Sequence, residues 1–521
     1  VRRALVILLA VAAVLTLPAS AVAAPVLVLG RDGHVTRHGD PYLPAALTPA
    51  PARAAAPAPA VAGTSIAADA LGVSTRPRSS GGTTVTSTST STSTSTSKKK
   101  NKNKKPVTVS SVLGGLQQTG QITFAQDQAA LDAFNAALAT ERHLSGTRRD
   151  ELADVTTTVH DIAAAGQLWP SRLPAVEATL DANRRWWSSG TLLSYGERVQ
   201  FAGSQLVWEY YPGQGIQLQV LGTFGAANGM YQAGAQEYPE MEQLLAEMIP
   251  LASDRAGGLT WEYYFDWEGG SPPWTSAMSQ ATALQALSHA YAATKNADYL
   301  TLAAKALPVF EKTPAQGGVA VPTAHGLRFV QYSFTPGTAI INAFLQTLIG
   351  LDEYAQISGN ATAARLFAQG NAEAEWEVPQ YDTGAWSLYQ PGQEDDLSYH
   401  ELVTGFLKQL CTLTAAPVYC TTATAFTTDL TTAPTLSVLT AQARAKKVFT
   451  LRFRVSKISR VGVTIRRGST VAFATSATFG YGVRSITVPK LAAGSYTVTL
   501  TATDLAGNYA SLPPATLTVT R

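Results

Sequence analysis

"AIINAFLQTLIGLDEYAQISGNATAARLFAQGNAEAEWEV", residues 339–378, decides the fold. Its first half sets Ile341, Phe344, Leu345 and Leu348 on one face at three- and four-residue spacing, the signature of a helix with a buried stripe. Gly and Asn break the pattern between Ser358 and Ala361, and a second periodic run follows. Two helices joined by so short a turn lie antiparallel. Each pair can bury its apolar face only against its neighbours, so repeated pairs predict an α/α toroid or solenoid.

The same texture recurs outward from this stretch, in 129–143, 151–166, 241–253, 277–295 and 297–312, with a second short turn between Thr294 and Ala297. Between the helical runs, Val199–Tyr211 and Leu259–Gly269 are aromatic and alternating, which predicts short β-hairpins at one rim of the toroid. After Cys420 the period changes to two. Six alternating runs about ten residues apart predict a small all-β sandwich. One of them, "GSYTVTLTATDLAGN" (494–508), resembles the penultimate strand of bacterial immunoglobulin-like domains, modules that serve as spacers or as surface- or carbohydrate-binding units. The predicted fold class is therefore multidomain and mainly α: a helical toroid at 111–420, then an immunoglobulin-like sandwich at 430–521.

The start of the chain reads differently. Arg2 and Arg3 precede an apolar run to Leu17 and small residues to Ala23, the pattern of a secretory signal peptide over 1–24. An uncleaved anchor is the alternative. No other stretch matches the length of that apolar run, and an exported, extracellular or cell-surface protein is expected, with no membrane span after cleavage. Residues 25–110, rich in Ala and Pro, then in alternating Thr and Ser, then in Lys, are expected to be a disordered tether. "KKKNKNKK" (Lys98–Lys105) carries six lysines, either as a solvated linker or as an attachment to an anionic surface polymer. A net charge of +3 gives no case for nucleic acid. Cys411 and Cys420 are the only cysteines, and the oxidising compartment predicts a disulfide between them.

"YDTGAWSLYQPGQEDDLSYHELV" (381–403) is the polar interruption that offers chemistry. Tyr332, Tyr381, Tyr389 and Tyr399 stand beside Gly, Pro, Ser or Asp in non-periodic sequence, whereas Tyr354 falls on an apolar helix. A phenol suits acid–base work where its pKa is tuned or where one group must both take and deliver a proton. Glu394, Asp395 and Asp396 could supply a hydrolytic carboxylate pair, but acidic residues here also favour the start of the helix that follows.

At these residues the chain resembles D-glucuronyl C5-epimerases in their C-terminal catalytic domain. Three motifs carry the resemblance in order: "PPWTSAMSQATALQALSHAY" (272–291), "QYSFTPGTAIINAFLQTLIGLDEY" (331–354) and the Tyr-Asp-Thr-Gly stretch above. The resemblance implies an isomerase that turns D-glucuronic acid residues of a heparosan-type polysaccharide into L-iduronic acid, with tyrosines and no cofactor. It implies Tyr332, Tyr389 and Tyr399 as catalytic residues, with Trp274, Gln280 and His400 as substrate contacts or as residues orienting them. Animal members carry a Glu where this chain has Gln331 and an Arg within the stretch where it has Gln390–Gln393. Arg328 is the expected replacement clamp for the uronate carboxylate. Competing readings are a polysaccharide lyase, which begins with the same C5 proton abstraction, a non-catalytic carbohydrate-binding surface protein, and a hydrolase using Glu394 or Asp396.

Overall fold

A computed structural model describes residues 24–43 and 106–521. The first described segment is a hairpin, β1 (Ala24–Leu29) and β2 (Val35–Asp40), turned by Arg31–Gly33. It corrects the expectation of a tether from residue 25. The alternating "APVLVL" run buries Ala24, Val26 and Leu29, and β1 pairs in parallel with β3 (Arg198–Phe201) far along the chain. The Ala/Pro composition that follows had obscured a strand and its Asp-Gly turn. The expected leader up to Ala23 and the Thr/Ser and lysine tracts lie outside the described residues.

Four helices come next: α1 (Val109–Gln118), α2 (Phe124–His143), α3 (Gly146–Ala164) and α4 (Leu173–Ser189). Capping boxes start the first two, Thr108 with Ser111 and Thr123 with Gln126, each satisfying backbone N–H groups that a helix N-terminus leaves unpaired. Strands β3, β4 (Trp208–Tyr211) and β5 (Gly215–Leu218) complete a five-stranded sheet in the order β2-β1-β3-β4-β5.

The helical body follows. Helices α5 (Val220–Ala233) and α6 (Tyr238–Met248) lead to the hairpin β6 (Ser253–Arg255) and β7 (Gly258–Thr260), then to α7 (Ala277–Thr294), α8 (Asp298–Ala306) and α9 (Pro308–Glu311). The hairpin β8 (Ala320–Pro322) and β9 (Leu327–Phe329) precedes α10 (Ile341–Ser358) and α11 (Ala361–Glu377). Short strands β10 (Leu388–Gln390) and β11 (Gln393–Glu394) then lead into α12 (Leu397–Thr414) and α13 (Pro417–Asp429). Helices α5, α7, α10 and α12 form an inner row in which α7 packs on α5 and α10, and α10 on α12. Their outer partners are α6, α8, α11 and α13. Burial follows this layering: α7 is buried without a break from Ala277 to Ala290, and α10 from Ile341 to Asp352. Both expected turns are present, with Lys295 and Gly359 in the left-handed conformation as the chain reverses. Gly350 permits the closest approach within the row, because a Cβ there would stand 2.4 Å from the Ala281 carbonyl oxygen. The expected disulfide joins Cys411 on α12 to Cys420 on α13.

The C-terminal region is β-rich. One sheet holds β12 (Leu436–Val438), β14 (Phe449–Val455) and β17 (Gly482–Val488); the other runs β13 (Gln442–Arg444), β20 (Ala515–Thr520), β18 (Gly494–Asp504), β15 (Ser459–Arg467), β16 (Thr470–Phe479), with β19 (Tyr509–Ser511) on β18. Alternate residues such as Leu451, Phe453, Val463, Ile465, Val498 and Leu500 share one core between the sheets. Among the described residues no helix is long and apolar enough to cross a membrane.

Candidate active site

Three loops at one end of the inner row bring the tyrosines together. Tyr332 sits just after β9, where that segment is tied to the start of α7: Ala277 N–H donates to the Val330 carbonyl, Ser333 N–H to the Thr275 carbonyl, and Thr275 N–H to Ser333 Oγ. Its ring stacks on Phe334 at 5.4 Å and meets Trp274 edge-on at 5.7 Å. Tyr389 lies on β10, and Tyr399 in the first turn of α12, their ring centres 5.1 Å apart. Tyr332 and Tyr389 share an apolar floor of Met278, Ile340 and Ala343, with Leu221 and Phe406 beside it. All three tyrosines are half-buried, so each keeps a path to solvent.

The three adjacent acids do three different things. Asp396 caps α12 by accepting the Tyr399 N–H at 2.9 Å, the helix-start role that its position suggested. Glu394 leaves the site: its two carboxylate oxygens accept the backbone N–H groups of Ile458 and Tyr481, both at 2.7 Å, and so hold the β10–β11 hairpin on the C-terminal β region. Asp395 turns inward, with its Oδ2 2.5 Å from Ser387 Oγ. A hydrolytic pair drawn from Glu394 and Asp396 is therefore not what the loop presents.

Burial dominates the electrostatics. It raises the phenols of Tyr332, Tyr389 and Tyr399 above their ordinary range, and nearby carboxylates add to the effect: Glu268 at Tyr332 and Tyr389, and Asp396 and Glu209 at Tyr399. At neutral pH the cluster rests as uncharged phenols. Burial also pushes the Asp395 carboxyl up to about 7, against the hydrogen bond to Ser387, and pulls His400 down to about 4.

The other expected contacts are occupied by the protein itself. Arg328 is bound through Nε and Nη2 to the Glu377 carboxylate, which makes it a poor free clamp for a substrate carboxylate. Gln280 is fully buried and brackets the Trp261 backbone, accepting its N–H and donating to its carbonyl. Trp274 is buried, stacks on Tyr263 at 4.2 Å, and donates its indole N–H to the Phe265 carbonyl. His400 is buried under Trp386, with ring centres 3.7 Å apart. Of these, Trp274 packs directly on the Tyr332 ring. Sequence reading missed a further group of neighbours: Tyr195 before β3, Glu209 and Tyr211 on β4, and Tyr263, Trp267 and Glu268 in the segment between β7 and α7. Tyr211 stacks on Phe265 at 4.6 Å and meets Tyr195 and Trp267 edge-on, and burial pushes Tyr195 up to about 12. The density of aromatic residues in Val199–Tyr211 and Leu259–Gly269 was the available signal.

A helical scaffold whose loops gather phenols and carboxyls in one half-buried cluster is a scaffold for acid–base chemistry. Residues 255–428 match the family described as D-glucuronyl C5-epimerase C-terminus, a range that contains all three tyrosines. The similarity is to the C-terminal part of those epimerases and lies within that range of this chain. The D-glucuronyl C5-epimerase of Caenorhabditis elegans is 32% identical over 130 residues, which are 23% of this chain and 21% of that protein. The uncharacterized protein MJ1128 of Methanocaldococcus jannaschii is 28% identical over 137 residues, 25% of this chain and 44% of that one. The chain thus spans a fifth to under a half of these relatives. Among solved structures, cellobiose 2-epimerase from Bacillus thermoamylovorans is similar at a TM-score of 0.32 and 9% identity, covering 49% of this chain and 69% of that one.

Proposed function

We propose that the chain inverts C5 of uronic acid residues in an acidic, heparosan-type polysaccharide, with Tyr389 and Tyr399 as the proton-exchanging pair and Tyr332 as a donor beside them. One observation carries the reading: three phenols gather in one cluster, Tyr389 and Tyr399 with ring centres 5.1 Å apart and Tyr332 on the floor it shares with Tyr389, within the residues that match the C5-epimerase C-terminus. The C5 hydrogen of a uronate is acidified by its neighbouring carboxylate. In the minor enzyme form in which one tyrosine has lost its proton to solvent, that phenolate takes the hydrogen as a proton from one face of the ring and becomes a phenol. The other, as phenol, delivers a proton to the opposite face and becomes the phenolate. The count of protons on the enzyme is unchanged, and the roles reverse for the return reaction. Negative charge that builds on the substrate carboxylate is met by phenolic donors, because Arg328 is already paired with Glu377.

The test is proton NMR of heparosan, and separately of other uronate polymers, incubated with the full chain in D2O. Deuterium at C5 without chain shortening is the expected result and names the polymer. Unsaturated ends in place of epimer would make the reaction an elimination. No exchange on any polymer would overturn the reading.

A further inference from the structure

Behind the tyrosines, one hydroxyl touches two groups. Ser387 Oγ lies 2.5 Å from Asp395 Oδ2 and 2.7 Å from His400 Nδ1, yet it has a single proton to donate. The second contact therefore needs a second proton, held either by Asp395 or by His400 Nδ1. The far side of the imidazole decides between them. His400 Nε2 lies 2.9 Å from the Phe426 carbonyl oxygen, which only accepts, so Nε2 carries a hydrogen. Nδ1 receives the Ser387 backbone N–H at 3.3 Å, so it presents a lone pair. His400 is then the neutral Nε2–H tautomer, in keeping with its burial against Trp386 and Phe426 and with Lys457 facing it. The remaining proton falls on Asp395.

The surroundings of that carboxyl agree. Asp395 is 1% exposed, and its Oδ1 has no hydrogen-bond partner. Asn342 of α10 faces it, with a buried amide that is also unpartnered. The charged and titratable groups around it are Asp396, Tyr389, Tyr399 and, across Ser387, His400; the nearby cation, Lys457, lies beyond His400 and is paired with Asp504. A carboxylate there would leave charge on an oxygen that closes no regular hydrogen bond and has the Asn342 amide alone turned toward it.

We propose that Asp395 is a positioning residue that works as an uncharged carboxylic acid. With its proton it completes an Asp395–Ser387–His400 chain that joins the strand of Tyr389 to the helix of Tyr399. Uncharged, it also spares both phenols an additional carboxylate charge, which would oppose phenolate formation. Loss of this proton to solvent at alkaline pH costs the chain a donor and adds that charge, so turnover falls. The consequence for turnover rests on the tyrosine reading above; the protonation state does not.

Two kinds of experiment keep them apart. On the full chain, infrared difference spectra of wild type against Asp395→Asn at pH 6 should show the carbonyl band of a protonated carboxyl, and nitrogen NMR of His400 should show the neutral Nε2–H form. Neither needs a substrate. With an active polymer, the ratio of wild-type to Asp395→Asn turnover should fall about tenfold per pH unit above about pH 7, because the amide keeps the donor and cannot ionise. Asp395→Ala should lose at least about tenfold at every pH, a loss that Asp395→Asn largely restores. Absence of the carboxyl band, a doubly protonated His400, or a ratio flat with pH would each overturn the proposal. Failure of every polymer, with the band and tautomer present, would overturn the tyrosine reading and support the protonation state.

Discussion

His289 on α7 and His400 on α12 are buried imidazoles of similar build. Each stacks on an aromatic ring, Tyr231 at 4.1 Å and Trp386 at 3.7 Å, and each has both ring nitrogens occupied. Their carboxyl neighbours go opposite ways. Glu353 touches His289 Nε2 directly at 2.5 Å and also accepts from Gln285; burial pushes its pKa up, but these contacts outweigh burial and hold it below the usual value. Asp395 reaches His400 only through Ser387, and burial wins. A histidine can stabilise a buried carboxylate by direct contact. With a hydroxyl between them, the shared hydrogen-bond chain is satisfied better by a neutral acid.

The comparison can be broken most strongly at the reacting side. Tyr389→Phe and Tyr399→Phe should each cut turnover by at least about a hundredfold, about 2.7 kcal/mol, while circular dichroism and melting stay near wild type. Unchanged turnover in both would leave the Asp395 chain with nothing to position. Next in size, Gly350→Ala should destabilise the chain by about 2 kcal/mol in denaturant unfolding, since its Cβ meets the Ala281 carbonyl and α7 and α10 cannot separate freely.

Glu353→Gln sharpens the contrast through pH. Its side chain is 28% exposed, so the loss at neutral pH should be only about 1 kcal/mol. The sign follows from linkage. Glu353 is depressed in the folded protein, so its contribution is present above the unfolded carboxylate value and disappears as pH falls through the folded one. Asp395 is raised to about 7, so from about pH 4 upward the unfolded chain binds fewer protons there than the folded one, and stability drains as pH rises. Melting followed from about pH 2 to 8 should show Glu353→Gln flattening the profile below about pH 4.5 and Asp395→Asn flattening it between about pH 4 and 7. Parallel profiles would contradict the comparison. The smallest effect is expected at Glu394→Gln, which weakens two backbone hydrogen bonds to the C-terminal β region and should reduce turnover by about fivefold, or about 1 kcal/mol.

That last contact changes the view of the β region. The sequence suggested a spacer or a binding module, yet its loops grip the hairpin of Tyr389 through Glu394. Lys457, buried beside Asp504 at 2.7 Å, reaches the Asp429 and Thr432 carbonyls and lies 5.1 Å from the Trp386 ring. Nothing in the alternating pattern of these strands marks a docking contact, because Ile458 and Tyr481 contribute backbone N–H groups rather than side chains.

Helices, turns and strands were legible because burial imposes a period, and a period survives in one dimension. The stripe of Ile341, Phe344, Leu345 and Leu348, the reversals at Lys295 and Gly359, the alternation after Cys420 and the capping role of Asp396 are all local. The motifs also flagged Tyr332, Tyr389 and Tyr399, which the fold then gathers. Composition misled at 24–43, where a strand borders a long Ala/Pro tract and finds its partner only at β3, at Arg198–Phe201. Which acid caps, which binds the β region and which keeps a proton could not be read from "EDD". Those roles depend on what each carboxyl meets across the fold: one backbone N–H within its own helix for Asp396, two from distant loops of the β region for Glu394, and a serine hydroxyl in a dry pocket for Asp395. Sequence settles what lies within a turn or two of a residue. Charge state is set by desolvation and by which groups the fold turns toward a carboxyl, near or far in the chain, and only the tertiary structure decides those.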